Sequence, residues 1–227
     1  MTHRAAVIIP AAGFGTRMHL DHPKQYHLLS GVPILARTIR AFDNLDFITR
    51  LIVAVPADMI EHTKNLLADY NLDRSDLTIV AGGRRRQDSV KAGLDTLDDT
   101  TEIILVHDGA RPLVNAELIA RCYQAAVASG AAIAAVPVKD TLKKADNFQQ
   151  VVTTIDRSSL WQAQTPQAAR RHLLEKAYRQ NGACDVTDES SLLEKAAIPV
   201  TVVEGSETNI KITRPEDLLL AEKILSA

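Results

Sequence analysis

Ala5-Ala-Val-Ile-Ile-Pro-Ala-Ala-Gly-Phe-Gly-Thr-Arg-Met18 is the stretch on which the fold turns. Its first part is apolar at every position, too short for a helix, and closed by Pro10 and a loop of small residues. Apolarity without alternation means a strand covered on both faces, which is the parallel strand of an α/β sheet. The loop that follows has the make-up of a phosphate cradle. Pro10 begins the loop, and Ala11 and Ala12 keep side chains small where a nucleotide can lie against backbone. Gly13 and Gly15 permit positive φ, so that successive N–H groups can turn toward one anion. Arg17 adds a cation where a helix would begin, and Lys24, in Pro23-Lys-Gln-Tyr26, adds another. Two other phosphate loops are excluded: the dinucleotide fingerprint needs a small residue where Met18 stands, and GxxxxGK[ST] has no match.

Further apolar runs of similar length lie at Leu51–Val55, Leu77–Val80, Ile103–Val106, Ala131–Val138 and Pro199–Val203, and read as buried strands. Helical patterns fall between them. Asn115 is placed to cap a helix whose Leu118, Ile119, Cys122, Ala126 and Val127 share a face, with Gly130 as its stop. Pro215 opens another, with Glu216 and Asp217 at the favourable end of its dipole. The alternation predicts a doubly wound, mostly parallel Rossmann-like sheet with ligands at the carboxyl ends of the strands. Between Asp140 and Ile155 the alternation breaks into two β-prone pieces, Thr141–Lys144 and Val151–Thr154, which predict a hairpin arm. A lone hairpin is marginal in water, so the arm, 139–156, is expected to pack on a second subunit. With no linker or repeat, 1–227 reads as one domain.

Composition narrows the chemistry. A formal net charge of −2 gives no bulk attraction to nucleic acid or to an anionic membrane, so phosphates must be met by locally placed cations and backbone. No apolar stretch approaches the roughly 20 residues of a membrane span. Two cysteines, Cys122 and Cys184, make neither a disulfide framework nor a zinc site, which points to a reducing cytoplasm. The histidines show no metal-ligand spacing, and no serine has the setting of a hydrolase elbow. Trp161 reads as core or as a wedge that positions a ligand.

Several clusters sit just past predicted strands. Gly82-Gly83-Arg84-Arg85-Arg86-Gln-Asp-Ser89 is one, and His107-Asp108-Gly-Ala-Arg111-Pro112 another. Asp108 can hold Mg²⁺, directly or through water, or cap a turn. Arg111 binds a phosphate or braces its loop. Ala-Ala-Gly-x-Gly-x-Arg-Met followed by Pro-Lys-Gln resembles the opening signature of the polyol-phosphate cytidylyltransferases. The resemblance runs on through these two clusters, Lys139-Asp-Thr141, Asp156-Arg157-x-x-Leu-Trp161, Thr165-Pro-Gln167, Thr187-Asp-Glu189 and Asn209-Ile-Lys211-x-Thr-Arg-Pro-Glu-Asp217. Most of all it is similar to the branch acting on 2-C-methyl-D-erythritol 4-phosphate.

The resemblance implies a homodimeric enzyme that transfers CMP from CTP to the polyol phosphate, releases pyrophosphate and uses a divalent cation. It implies transition-state roles for Arg17 and Lys24, and a cytosine and ribose site at Gly83 and Ser89. It also implies acceptor contacts from Arg157, Lys211, Thr141 and Thr165, with the arm completing a partner's site. Two other readings share the loop: a ribitol 5-phosphate enzyme of the same class, and a CTP-binding module without chemistry. A glycosyltransferase is disfavoured because only one acidic residue stands at Asp108.

Overall fold

The computed structural model describes residues 3–13, 18 and 22–226. Its strands are β1 (Ala5–Pro10), β2 (Leu28–Leu29), β3 (Val32–Pro33), β4 (Ile48–Val55), β5 (Leu77–Ala81), β6 (Ile103–Val106), β7 (Ala131–Pro137), β8 (Leu142–Ala145), β9 (Val151–Ile155), β10 (Trp161–Arg170) and β11 (Thr201–Glu204). The helices are α1 (Ile34–Arg40), α2 (Ile60–Asp69), α3 (Arg86–Leu94), α4 (Ala116–Ser129), α5 (Arg171–Asn181), α6 (Glu189–Lys195) and α7 (Pro215–Leu225).

Seven strands form the central sheet in the order β11-β7-β10-β6-β1-β4-β5. β1 pairs in parallel with β4 on one side and β6 on the other, and the β4–β5 and β7–β11 pairs are parallel too. The chain therefore leaves β1 toward one edge and returns to its other side. That reversal opens a crevice at the carboxyl ends of β1 and β6, where open α/β sheets take their ligands.

The all-apolar character of β1 has a direct cause. Ala5, Val7 and Ile9 belong to a core with Leu35, Ile39, Leu67, Leu118 and Cys122, while Ala6 and Ile8 face a second core with Val90, Leu94, Leu174 and Leu192. Helices thus cover both faces, and full burial of each large side chain contributes roughly 1.5–3 kcal/mol. The cap of α4 follows the sequence: Asn115 Oδ1 accepts from Leu118 N at 2.9 Å, and Gly130, at φ 97°, ends the helix.

Three expectations need correction. First, a strand went unseen: β10 runs antiparallel between β6 and β7, in the middle of the sheet. Its sequence, WQAQTPQAAR, lacks the β-branched residues that mark strands, and Pro166 argues against a central one. The proline is housed at an irregularity, because pairing with β7 shifts register between Ala163 and Gln167. Second, β11 is an edge strand and not a buried one, with Thr201, Val202 and Glu204 exposed. Third, Trp161 is 44% exposed at the start of β10, so it is not core.

The hairpin of β8 and β9 stands apart from the central sheet, joined along Leu142–Ala145 and Val151–Ile155. Phe148 at its turn is 85% exposed, and Val151 and Val152 are exposed beside it.

Gly93 shows how closely α3 lies on β1, since a Cβ there would meet Ile8 Cγ2 at 2.7 Å. Gly93→Val is expected to cost about 1–3 kcal/mol through overpacking, measured by urea unfolding.

Candidate active site

Three strand ends converge on one cleft of about 190 Å³, lined by Pro10–Gly13 after β1, Gly83–Arg86 after β5 and Asp108–Ala110 after β6. Ser89, Lys24, Gln25 and Lys211 complete it. Phe14, Gly15, Thr16 and Arg17, which carry the rest of the predicted phosphate loop, lie outside the described residues.

The first wall is held by backbone. Ala11 N donates to Ala54 O at 2.7 Å, and Gln25 Nε2 donates to Ala11 O. Gly13 is exposed, and its φ is not in the left-handed range. The glycine freedom expected there is thus unused, but the position is open enough to admit a ligand. Gly82 is where close approach forbids a side chain, since a Cβ would come within 2.5 Å of Ala12 Cβ and 2.8 Å of Ser89 Oγ. Ser89 Oγ in turn accepts from Gly83 N at 3.1 Å, closing the loop at the start of α3.

Lys24 sits in a short 3-10 turn, Lys24–Tyr26, and its Nζ donates to Ile212 O at 2.7 Å. Ile212 N donates to Ala110 O at 2.8 Å, so segment 209–213 is stitched to the loop after β6. This brings Lys211, remote in sequence, to the cleft.

Asp108 is the centre of the charge distribution. Oδ1 accepts from Arg86 Nε at 3.0 Å, Oδ2 pairs with Lys211 Nζ at 2.7 Å, and Arg111 Nε stands 3.8 Å from Oδ2. Burial pushes the Asp108 carboxyl up, but Arg86, Lys211 and Arg111 together outweigh it and hold the group well below the usual carboxylate range. On its far side Arg86 donates Nη1 to both oxygens of Glu189, at 2.8 and 2.7 Å.

Beneath the cleft lies a polar layer. Asp108 N donates to Thr165 Oγ1 at 3.1 Å. His107 Nε2 is 3.1 Å from Arg111 O and its Nδ1 is 3.0 Å from Thr165 Oγ1. A carbonyl can only accept, so Nε2 carries the proton and Nδ1 accepts from the threonine hydroxyl. Burial depresses His107 to about 4, keeping it neutral. Arg111 Nη1 donates to Asn209 O at 2.7 Å, and Asn209 Nδ2 to Thr165 O at 2.8 Å. Arg111 therefore braces its loop, and Thr165, 3% exposed, spends its hydroxyl inside the protein.

The structure thus brings together Pro10, Ala11, Ala12, Gly13, Lys24, Gly83, Ser89, Asp108 and Lys211. It buries Arg111 and Thr165 under them and leaves Thr141 and Arg157 exposed, on or beside the arm. The three consecutive arginines have separate fates. Arg84 is exposed, Arg85 pairs with Asp88 and Asp185, and Arg86 joins Asp108. Sequence reasoning assigned nothing to Glu189 or Gln25. The signal for Glu189 was an acid directly after the helix-capping Asp188 and before the apolar Leu192 and Leu193.

Asp108 is the one carboxylate among the described cleft residues, and both its oxygens already have cationic partners. Among the described residues no cluster of three acids, histidines or cysteines could cage a metal. A divalent cation here would therefore be held mainly by the oxygens of a bound ligand, with Asp108 the one carboxylate among the described lining residues that could join it. No described helix is long and apolar enough to cross a membrane.

The family model described as 2-C-methyl-D-erythritol 4-phosphate cytidylyltransferase matches residues 5–227. The chain is 61% identical over 221 residues to the bifunctional enzyme IspD/IspF of Desulfotalea psychrophila, spanning 97% of this chain but 56% of that protein. It is 44% identical over 228 residues to the 2-C-methyl-D-erythritol 4-phosphate cytidylyltransferase of Syntrophus aciditrophicus, spanning 99% and 97%. Among solved structures, 4-diphosphocytidyl-2C-methyl-D-erythritol synthase from Anaerococcus prevotii superposes with a TM-score of 0.86 at 31% identity, covering 100% of both chains.

The sign of His107's pH effect follows from its depression. Above about 6.5 it is neutral folded or unfolded; below that, the unfolded chain takes up a proton that the folded chain refuses until about 4. Stability should fall by about 1.4 kcal/mol per pH unit across that window, about 3 kcal/mol in all. His107→Gln should flatten this part of the pH dependence, measured by urea unfolding between pH 4 and 7.

Proposed function

The chain belongs to the 2-C-methyl-D-erythritol 4-phosphate cytidylyltransferase family, and from that membership we infer that it transfers CMP from CTP to 2-C-methyl-D-erythritol 4-phosphate, yielding 4-diphosphocytidyl-2-C-methyl-D-erythritol and pyrophosphate for isoprenoid precursors. The observation that carries this reading is the cleft at the strand reversal, lined by the backbone of 10–13, Lys24 and the Asp108–Lys211 pair.

A phosphate oxygen of the acceptor forms a bond to the α-phosphorus of CTP, and the bond from that phosphorus to the bridging oxygen breaks. Pyrophosphate leaves with the electron pair. A phosphomonoester is already largely dianionic near pH 7, with a second pKa of about 6, so no general base is needed. The task is to bring two anions together and to spread charge over the five-coordinate phosphorus.

We assign the nucleotide to the loop of Pro10, Ala11, Ala12, Gly13 and Gly15, with backbone N–H groups after Ala11 as the triphosphate donors, and transition-state charge to Lys24 and Arg17. Gly83 and Ser89, at the edge of the cleft, take the nucleoside. Lys211 meets the acceptor phosphate as a point charge. Thr165 and Arg111 serve by fixing the Asp108 loop from beneath. A bound divalent cation, Mg²⁺ in our reading, would neutralise triphosphate charge with Asp108 as its protein oxygen.

Residues 1–227 form one nucleotidyltransferase domain in this reading, and the arm, 139–156, joins two copies. Its exposed Phe148, Val151 and Val152 provide an apolar face for a second copy. Thr141 and Arg157, exposed on one chain, would then reach the partner's cleft, Arg157 with a bidentate fork. Cys122, buried, and Cys184, exposed, are both free thiols, which fits a cytoplasmic setting.

Pyrophosphate release from CTP is expected with methylerythritol phosphate and not with ribitol 5-phosphate; the reverse result would reassign the acceptor. Lys24→Ala should lower kcat about 100- to 1000-fold with CTP affinity changed far less. A chain that binds CTP but never releases pyrophosphate would be the non-catalytic module. For the arm, Phe148→Asp with Val152→Asp should give a monomer in sedimentation and abolish turnover. A fully active monomer would refute completion of the site by a second copy.

A further inference from the structure

We propose that Glu189 is a positioning residue for cytidylyl transfer, acting on Asp108 and Lys211 through Arg86; the proposal rests on the activity inferred above. Glu189 opens α6 and is 3% exposed. It does not line the cleft; it lines a small interior cavity together with the apolar Leu193, Val106 and Ala169 and the polar Gln167 and Ser190.

Nothing in α6 itself requires an acid at that position. The helix cap is supplied by Asp188, whose Oδ1 accepts from Ser191 N at 3.0 Å. A carboxylate in an apolar setting is costly unless paired, and an apolar residue of similar volume is often the more stable choice. Burial pushes the Glu189 carboxyl up, with Arg86 opposing it.

What Glu189 does is visible in how Arg86 is oriented. Both Glu189 oxygens accept from one nitrogen, Nη1, while Nε alone reaches Asp108, at 3.0 Å. Arg86 Nη2 is buried without a hydrogen-bond partner. An arginine free to choose would turn a two-nitrogen fork onto Asp108 and occupy both its oxygens. Held by Glu189, Arg86 takes only Oδ1 and leaves Oδ2 to Lys211 Nζ at 2.7 Å. The division of Asp108 between two cations therefore sets where the Lys211 ammonium stands in the cleft. Without Glu189, Arg86 carries an uncompensated charge, closes on Asp108 and displaces Lys211.

Steady-state turnover of CTP and methylerythritol phosphate by the full chain tests this with Glu189→Gln, Arg86→Gln and the double variant. Glu189→Gln should lower kcat at least tenfold and raise KM for the acceptor, while KM for CTP changes less than threefold. Because the effect passes through Arg86, the double variant should be no slower than Arg86→Gln alone. The double variant also leaves no uncompensated charge and no guanidinium to close on Asp108, so its unfolding midpoint should recover toward the parent and its kcat should rise above that of Glu189→Gln. A midpoint that recovers while kcat stays at or below the Glu189→Gln level would show that the loss does not pass through Arg86, and overturns the proposal. So does a Glu189→Gln variant within twofold of the parent in kcat, or additive losses in the double variant. If Glu189→Gln alone does not fold, the double variant decides. A parent without turnover overturns the activity itself and this inference with it, which distinguishes that failure from the others.

Discussion

Everything at the cleft depends on one buried carboxylate being outnumbered by cations. Asp108 is 8% exposed, and ionised groups at such sites are stable only when their charge is met nearby. Arg86, Lys211 and Arg111 meet it from three segments that are distant in sequence: the start of α3, the stretch before α7 and the loop after β6 itself. The same attraction that stabilises the carboxylate thus assembles the cleft. An anionic ligand entering it finds donors already gathered, with little left to reorganise.

The lower layer serves the upper one. His107, Thr165 and Asn209 fix the backbone around Asp108 through hydrogen bonds, and the carbonyl of Arg111 sets the tautomer of His107. None of these three lines the cleft. They are the price of keeping a polar site inside an apolar sheet, because each unmatched donor or acceptor there would cost about 1–3 kcal/mol.

How much of this the sequence made legible depends on whether a feature is local. β1 could be read because its apolar run has no other explanation, and α4 because Asn115 and Gly130 act within one or a few residues of its ends. Lys24, Asp108 and Lys211 could be named one by one, yet nothing in their spacing showed that two of them touch. β10 was invisible because its burial comes from β6 and β7 and not from its own residue types. Thr165 was expected against substrate, and Arg111 either against a phosphate or bracing its loop; both are buried beneath the cleft. Polar residues in a matched segment look alike in sequence whether they face a ligand or the protein interior; only burial separates them. Glu189 escaped for the same reason.

The place of β10 has a topological consequence. The strand leaves the arm at Trp161, passes Thr165 under Asp108 and ends at Arg170, so one extended segment links the projecting hairpin to the floor of the cleft. Side chains on a strand alternate faces, so a shift of one residue exchanges every inward position for an outward one. Insertions and deletions should therefore be tolerated very unequally. Near Phe148 the turn can lengthen freely, since it touches solvent; between Trp161 and Thr165, a single added residue would put β10 out of step and turn the threonine away from the aspartate. Length variation among natural homologues should accordingly collect at the tip of the hairpin and be purged within the strand that follows it.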